Sequence, residues 1–415
     1  MLRIYVSVTS IIVSTLILQL GNGMVGPTVV LRASFRGEAA SEIGLIPAAY
    51  GIGFIVGCFW GRRLIVTIGH IRAFAVAAAL LAALTIALQL LPQTLAWILL
   101  RGVMGCCIAV VSTCADSWVG NSTPFQMRGR VLALYAVTIK FAHLGAPALL
   151  ALVVFVNEQA VLYAALFFAV SLVPVAMTRL PAPELSAGES LSYLSLLRGA
   201  PSAIVACVAV GLANSAVLSL LPAQGLAVGL SASETLILLT AAHVGGLLLQ
   251  WPIGFLSDSA DRRLAMAGSL LAAAGFAVLL MTTPLGSTGL ALVLAFLWGG
   301  FALSVYSICL AHAVDHVERE QIVSVCATLL VTWSMGAVLG PALAGLAMDL
   351  AGPGSLFVFS AVCHGAAGLF VAYRMTATAR RRRRSGFVNV PVTSAELHRL
   401  DPRRPDKPGV ETPAE

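Results

Sequence analysis

Two cations and two imidazoles stand inside long apolar runs: Arg101, Lys140, His143 and His243. A charge at the centre of an apolar segment costs at least ~2.5–3.5 kcal/mol, so such groups face protein or a water-filled cavity and mark sites. A guanidinium offers a planar, bidentate clamp for a carboxylate, and an ammonium offers a point charge. Gln19, Asn22 and Asn214 add uncharged hydrogen-bonding groups in the same kind of surroundings. No Asp or Glu lies deep in an apolar run, so the set reads as a binding site for a small molecule, with nothing resembling a catalytic group. Arg101 can equally brace a helix, and Lys140 can lose its charge on burial; both alternatives stand at the level of sequence.

A second constellation is Gly254-Phe-Leu-Ser-Asp258-Ser-Ala-Asp261-Arg262-Arg263, with Asp116 and Asp315 at the ends of other apolar runs. Acids cap helix ends and paired arginines bind nearby acids, so these residues are expected to gate. Cys309, His312 and His316 would share one helix face, but no further ligand motif accompanies them and no metal is expected. The eight cysteines lie in apolar runs without a Cys-x-x-Cys pair.

The elements that must position these groups follow from composition. The chain is 59% hydrophobic and only 10% charged, against roughly 25% charged residues in soluble domains. Runs of about 20 apolar residues fit membrane-spanning helices, and their uniformity excludes barrel strands, which alternate. Six spans are expected at Tyr5–Val30, Ile43–Val66, Ala73–Leu91, Thr94–Ser117, Val131–Phe155 and Ala160–Met177. Six more are expected at Ala203–Leu226, Thr235–Leu256, Leu264–Met281, Gly289–Ala313, Ile322–Leu350 and Leu356–Tyr373. The expected architecture is an all-α membrane protein of twelve transmembrane helices in two pseudo-symmetric six-helix halves, residues 1–178 and 202–375. A linker at 179–201 joins them, and a basic, disordered tail is expected at 376–415. Pro27 parallels Pro222, and Asp116 parallels Asp315, as repeated halves would require.

Basic residues set orientation. With the amino terminus in the cytoplasm, Arg62, Arg63, Arg130, Arg262, Arg263 and Arg374 flank the inner ends, while the outer side holds Arg32 and Arg36. Both termini are then cytoplasmic, in a bacterial inner membrane. The net charge of +7 lies mostly beside spans and in the tail, so no nucleic-acid partner is expected. The run Arg380–Arg384 is expected to meet anionic lipid headgroups. No phosphate-binding Gly-rich loop is present, which argues against ATP-driven action.

The string at Gly254–Arg263 resembles the loop signature of the major facilitator superfamily, Gly-x-Leu-Ala-Asp followed by two basic residues. The equivalent place in the first half is degraded, with Val66 at the acid position and mainly Gly69 and Arg72 surviving. Arg101 followed by Gly105 is similar to the superfamily's helix-4 arginine motif. Gly336-Ala-Val-Leu-Gly340-Pro341 is a helix-packing string that usually sits in the fifth helix of drug antiporters. Here it falls in the eleventh span, so an antiporter assignment does not follow. Asp116-Ser-Trp, Arg128-Gly-Arg130 and Gln250-Trp-Pro-Ile-Gly254 resemble the YcaD-like branch. The resemblance implies a monomeric secondary transporter of a small solute, working by alternating access without a cofactor, with spans 1, 4, 7 and 10 lining the cavity. The coupling mode is open at this level: a proton or sodium ion, simple exchange, or uniport. The two unneutralised cations lean the substrate toward a small organic anion. The alternatives are a drug or metabolite efflux carrier, or a non-transporting sensor on the same fold.

Overall fold

The structure, a computed structural model, describes residues 2–123, 127–153, 159–177, 200–259, 261–284, 288–317 and 321–377. The apolar runs form helices α1 (Leu2–Phe35), α2 (Ala40–Ile68), α3 (His70–Leu90), α4 (Thr94–Ser122), α5 (Arg128–Val153), α6 (Gln159–Val170) and α7 (Leu172–Ala176). The second series is α8 (Pro201–Ala227), α9 (Ala232–Leu248), α10 (Gln250–Ser259), α11 (Arg262–Thr282), α12 (Thr288–Val314), α13 (Ile322–Ala351) and α14 (Ser355–Ala377). Among the described residues, eleven stretches are long and apolar enough to cross a membrane, and Ala160–Ala176 is a shorter apolar one.

The expected sixth span is therefore two helices, α6 and α7, meeting at Ser171. Pro174 lacks the N–H that would reach the carbonyl of Val170, which breaks the ladder there. The eighth span is likewise α9 followed by α10, with Pro252 next to the junction. The first span runs five residues past its expected end, to Phe35. The expected linker lies outside the described residues apart from Ala200 and Pro201, where α8 starts. The tail beyond Ala377, with Arg380–Arg384, lies outside them as well.

Glycine sets how closely the helices approach. In the first half, a Cβ at Gly53 would strike the carbonyl of Gly102, and one at Gly105 that of Tyr50, so α2 and α4 touch backbone to backbone. In the second half, Gly245 meets the carbonyl of Phe296 and Gly299 that of Ala242, so α9 and α12 do the same. Small residues at such crossings let apolar helices gain dispersion contact that lipid cannot supply. Gly336 and Gly340 press α13 onto α8, against the carbonyls of Val208 and Leu212.

The halves meet mainly along α2–α13, α5–α9 and α1–α8. Counting crossings, one face, the terminal face, carries the start of α1 and the end of α14; the other carries the start of α2 and the end of α13. At that second face Gly44 lies against the carbonyl of Pro341, Gly51 against Val338 and Gly345 against Ala40. The Asp349 carboxylate accepts hydrogen bonds from the backbone N–H groups of Ala40 (2.8 Å) and Ser41 (2.9 Å). It thus caps the first turn of α2, whose own N-cap residue, Ala39, offers no side-chain bond. Ser233 donates to the carbonyl of Ala151 between α9 and α5. The seam is closed at the face opposite the termini.

Candidate functional site: a central cavity between the halves

A cavity of about 420 Å³ lies between the halves. All seven residues singled out for substrate contact line it: Gln19, Asn22, Arg101, Lys140, His143, Asn214 and His243. Its walls come from α2, α5, α9 and α13 as well as from the four spans expected, through α1, α4, α8 and α12. Tyr50, Ser215, Gln250, Tyr306, Ser307 and Trp333 join the lining. Among the described residues, no Asp or Glu lines it.

On the first-half wall the polar groups form a chain. Asn22 Nδ2 donates to Gln19 Oε1 (3.2 Å) and to the Tyr50 hydroxyl (3.1 Å). The Tyr50 ring in turn carries the Arg101 guanidinium at 4.3 Å. Arg101 is 5% exposed, and its Nε and Nη1 are buried without an acceptor among the described residues. A cation–π contact gives a desolvated cation ~2 kcal/mol or more, whereas desolvating a charge costs several. The guanidinium is held and oriented but not neutralised. Lys140 Nζ donates a 3.3 Å hydrogen bond to the carbonyl of Gly246, across the seam. The rings of His143 and His243 face each other from α5 and α9, with centroids 6.2 Å apart.

The second-half wall is uncharged. Asn214 Nδ2 donates to the carbonyl of Ala302 (3.0 Å). That carbonyl accepts only, which fixes the amide orientation and leaves Asn214 Oδ1 buried without a donor among the described residues. Gln250 donates to Ser307 (2.7 Å). Tyr306 and Trp333 pack edge to face. Trp298, a further aromatic of α12, lies outside this cavity, buried in the second half against Ser360 and His364.

The expected gating residues gather away from the cavity. Arg262 joins Asp315 (2.6 Å) and Asp258 (3.1 Å), while Arg263 pairs with Asp261 (3.2 Å), which also caps α11. These pairs tie the ends of α10, α11 and α12, all in the second half. The turn is so short that Arg262 faces the two nearest helix ends of its own half. Gly254 is buried in α10. Asp116 is buried and accepts from the Tyr135 hydroxyl (2.7 Å), joining α4 to α5. Gly336 and Gly340 pack within the second half as described, while the carbonyl of Pro341 meets Gly44 of the first. His312 and His316 meet edge to face with ring centroids 4.5 Å apart, yet no described group of three His, Cys, Asp or Glu is placed to hold a metal.

Sequence reasoning missed Tyr50, Gln250, Ser215 and Ser307. Gln250 lies in a string informative only for likeness, and the serines are common packing residues. Tyr50 precedes Gly51 and Gly53, and that small-residue stretch is the signal that α2 approaches another helix there.

Two bundles around a central, cation-bearing cavity define a polytopic membrane carrier. Residues 11–227 and 203–402 match the Major Facilitator Superfamily, and the chain belongs to that family. It is similar to the uncharacterized MFS-type transporter YcaD of Salmonella newport (strain SL254), with 24% identity over 322 residues, 77% of this chain and 83% of that protein. The Salmonella paratyphi A (strain ATCC 9150 / SARB42) protein of the same description is 24% identical over 348 residues, 83% and 90% of the two chains. Among solved structures, the nucleoside transporter NupG superposes with a TM-score of 0.72 at 13% identity, over 90% of this chain and 99% of that one. A single-substitution variant of the E. coli fucose:proton symporter FucP gives 0.55 at 16% identity, over 88% and 99%. The family establishes a multi-pass membrane transporter of a small molecule, and the structural likenesses establish the major facilitator fold.

Proposed function

We propose that the protein is a secondary carrier for a small organic anion bearing a hydrogen-bond donor, working by alternating access between its halves. The observation that carries this is Arg101: a buried guanidinium with two donors unmet, in a cavity with no acid among its described lining residues. Buried charges are paired in native proteins, and an unpaired one calls for a ligand of opposite sign. A carboxylate completes the charge balance, with Lys140 adding positive potential in a low-dielectric site. Asn214 Oδ1, on the opposite wall, calls for a hydroxyl or N–H on the same ligand.

A seam closed opposite the termini corresponds to a site facing the terminal side. On the basic-residue rule that side is the cytoplasm of a bacterial inner membrane. Arg380–Arg384 would then lie at anionic headgroups, and the carrier would work as a monomer. NupG and FucP are described as a nucleoside transporter and a fucose:proton symporter, and the amides and hydroxyls of the second-half wall favour a neutral, hydroxyl-rich cargo as the second reading. A thermal-shift screen of purified protein against hydroxycarboxylates, sugars, nucleosides and lipophilic cations separates the two. The anion reading predicts stabilisation by carboxylates and its loss in Arg101→Gln. Stabilisation by neutral compounds alone would overturn it.

A further inference from the structure

The α5–α9 seam carries two imidazoles, beside Lys140, that anion binding at Arg101 and Lys140 does not use. His243 Nδ1 lies 2.9 Å from the carbonyl of Leu239. A carbonyl only accepts, so Nδ1 carries the hydrogen, and the neutral ring holds its free lone pair on Nε2. His243 lines the cavity, and the ring it faces, His143, belongs to the other half. One turn before His143, Lys140 crosses the same seam to the carbonyl of Gly246. The helices packed on α9 are α5, α8, α10 and α12. Of these, α5 brings Lys140 and His143 to the cavity, α12 brings the Tyr306 phenol, and α8 and α10 bring no titratable group to the described lining. Arg101 on α4 completes the charged set. A sodium ion, as a hard cation, takes several oxygen ligands, commonly carboxylates or freed carbonyls, and the described lining offers two cations and no carboxylate.

We propose that the coupling ion is a proton rather than sodium, and that its site is His243 Nε2. The proton is taken from hydronium on one face and returned to water on the other, with an N–H bond made and broken and no other change. An imidazolium on α9 then faces the Lys140 ammonium on α5, and like charges on the two sides of a low-dielectric seam repel. The proton therefore favours parting of the halves at the face opposite the termini, and an anion at Arg101 offsets the added charge. The coupling to an anion rests on the functional reading above; the proton site does not.

The test needs no substrate. Nitroxides are attached through ketone-bearing unnatural side chains at Leu152 and Ile237, exposed positions on α5 and α9. Pulsed electron–electron distances are then read in nanodiscs from pH 8 to pH 5, in sodium and in potassium buffers. In the wild type the separated population is expected to rise by about threefold or more as pH falls, the response of a two-state seam to one added charge, with no difference between the cations. The response should vanish in His243→Gln. His243→Asn, whose amide can still donate to Leu239, serves if the Gln variant does not fold. ¹⁵N-histidine spectra should show the Nδ1–H tautomer for the signal lost in either variant. A pH response that persists in both variants, a sodium dependence at fixed pH, or an Nε2–H tautomer would each overturn the proposal. Anion binding that fails while the pH response holds would remove the functional reading and leave the proton site.

Discussion

In the first half, Gly53 and Gly105 bring α2 onto α4; in the second, Gly245 and Gly299 bring α9 onto α12. The packing is repeated almost position for position, while the cavity walls it builds differ in kind. The first wall carries Arg101 and Lys140, and the second offers amides, hydroxyls and imidazole with no fixed charge among its described residues. Backbone contact at helix crossings tolerates only small residues, so both copies keep it. Side chains facing the cavity are under no such constraint and can specialise. One half can thus hold the charge of a ligand while the other reads its neutral groups, and the proposed alternating access would move a charge-bearing wall against one without a fixed charge.

The largest expected effect tests the shared packing where the halves meet. Gly44→Val would put a Cβ onto the carbonyl of Pro341. The seam opposite the termini should fail to close, with transport in proteoliposomes falling by about tenfold or more, since overpacking costs ~1–3 kcal/mol. Normal transport in this variant would show that the seam is looser than the glycines imply.

Next comes the charge asymmetry itself. Lys140→Ala should weaken binding of an anion by roughly fivefold to tenfold at every pH tested, the loss of one charge in a partly desolvated site. Isothermal titration across pH reads this directly. Unchanged anion affinity with lost proton-driven accumulation would instead make Lys140 the proton carrier and move the asymmetry from substrate to coupling.

A smaller effect is expected at Asp349, which reaches from the second half to cap α2 of the first. Asp349→Ala removes two charge-assisted hydrogen bonds, each contributing up to ~1.5–3 kcal/mol when fully formed and less at this exposed end. The opposite-face distances should lengthen in a few-fold larger fraction of molecules, and Asp349→Asn should do so less. Identical distance distributions in all three proteins would mean the cap follows closure without favouring it.

The smallest effect lies wholly in the first half. Thr94 donates to Glu38 (2.6 Å), and that bond first, then one with the Glu42 carboxyl, with Arg36 assisting, holds the Glu38 carboxyl below its ordinary range. A depressed acid contributes stability that is fully present above its unfolded pKa of about 4.3 and is lost as pH falls from there through the lower folded value. Glu38→Gln should lower thermal stability slightly at pH 7, and by progressively less as pH falls below about 4. Equal losses at pH 7 and pH 3 would point to packing instead.

The fold is largely legible in the sequence because apolar run length reports helix length in lipid directly. The runs match the helices to within a few residues, except where Pro174 and Pro252 interrupt the ladder and the run does not show it. The in-membrane charges draw attention to Arg101 and Lys140, since cost flags them without any knowledge of the fold. What they face depends on helix rotation and on which half lies opposite, and neither is written in hydrophobicity. Tyr50 shows this: as a residue it is one more aromatic in an apolar helix, and only its ring under Arg101 gives it a role. The Asp258–Arg262–Asp315 network shows the converse, because a motif can bring the right partners together while the turn geometry decides which helices they join.

On the proposed reading, the first-half wall selects for negative charge through Arg101. The most direct test of that selection is counterflow in proteoliposomes with matched pairs, such as lactate against lactamide and gluconate against glucose, in wild type and Arg101→Gln. Exchange of the carboxylate of a pair and not its neutral partner, lost by roughly 30- to 100-fold in the variant, is the predicted result for a charge-assisted, bidentate contact. Equal exchange of both members, or a carboxylate flux that survives Arg101→Gln, would contradict it.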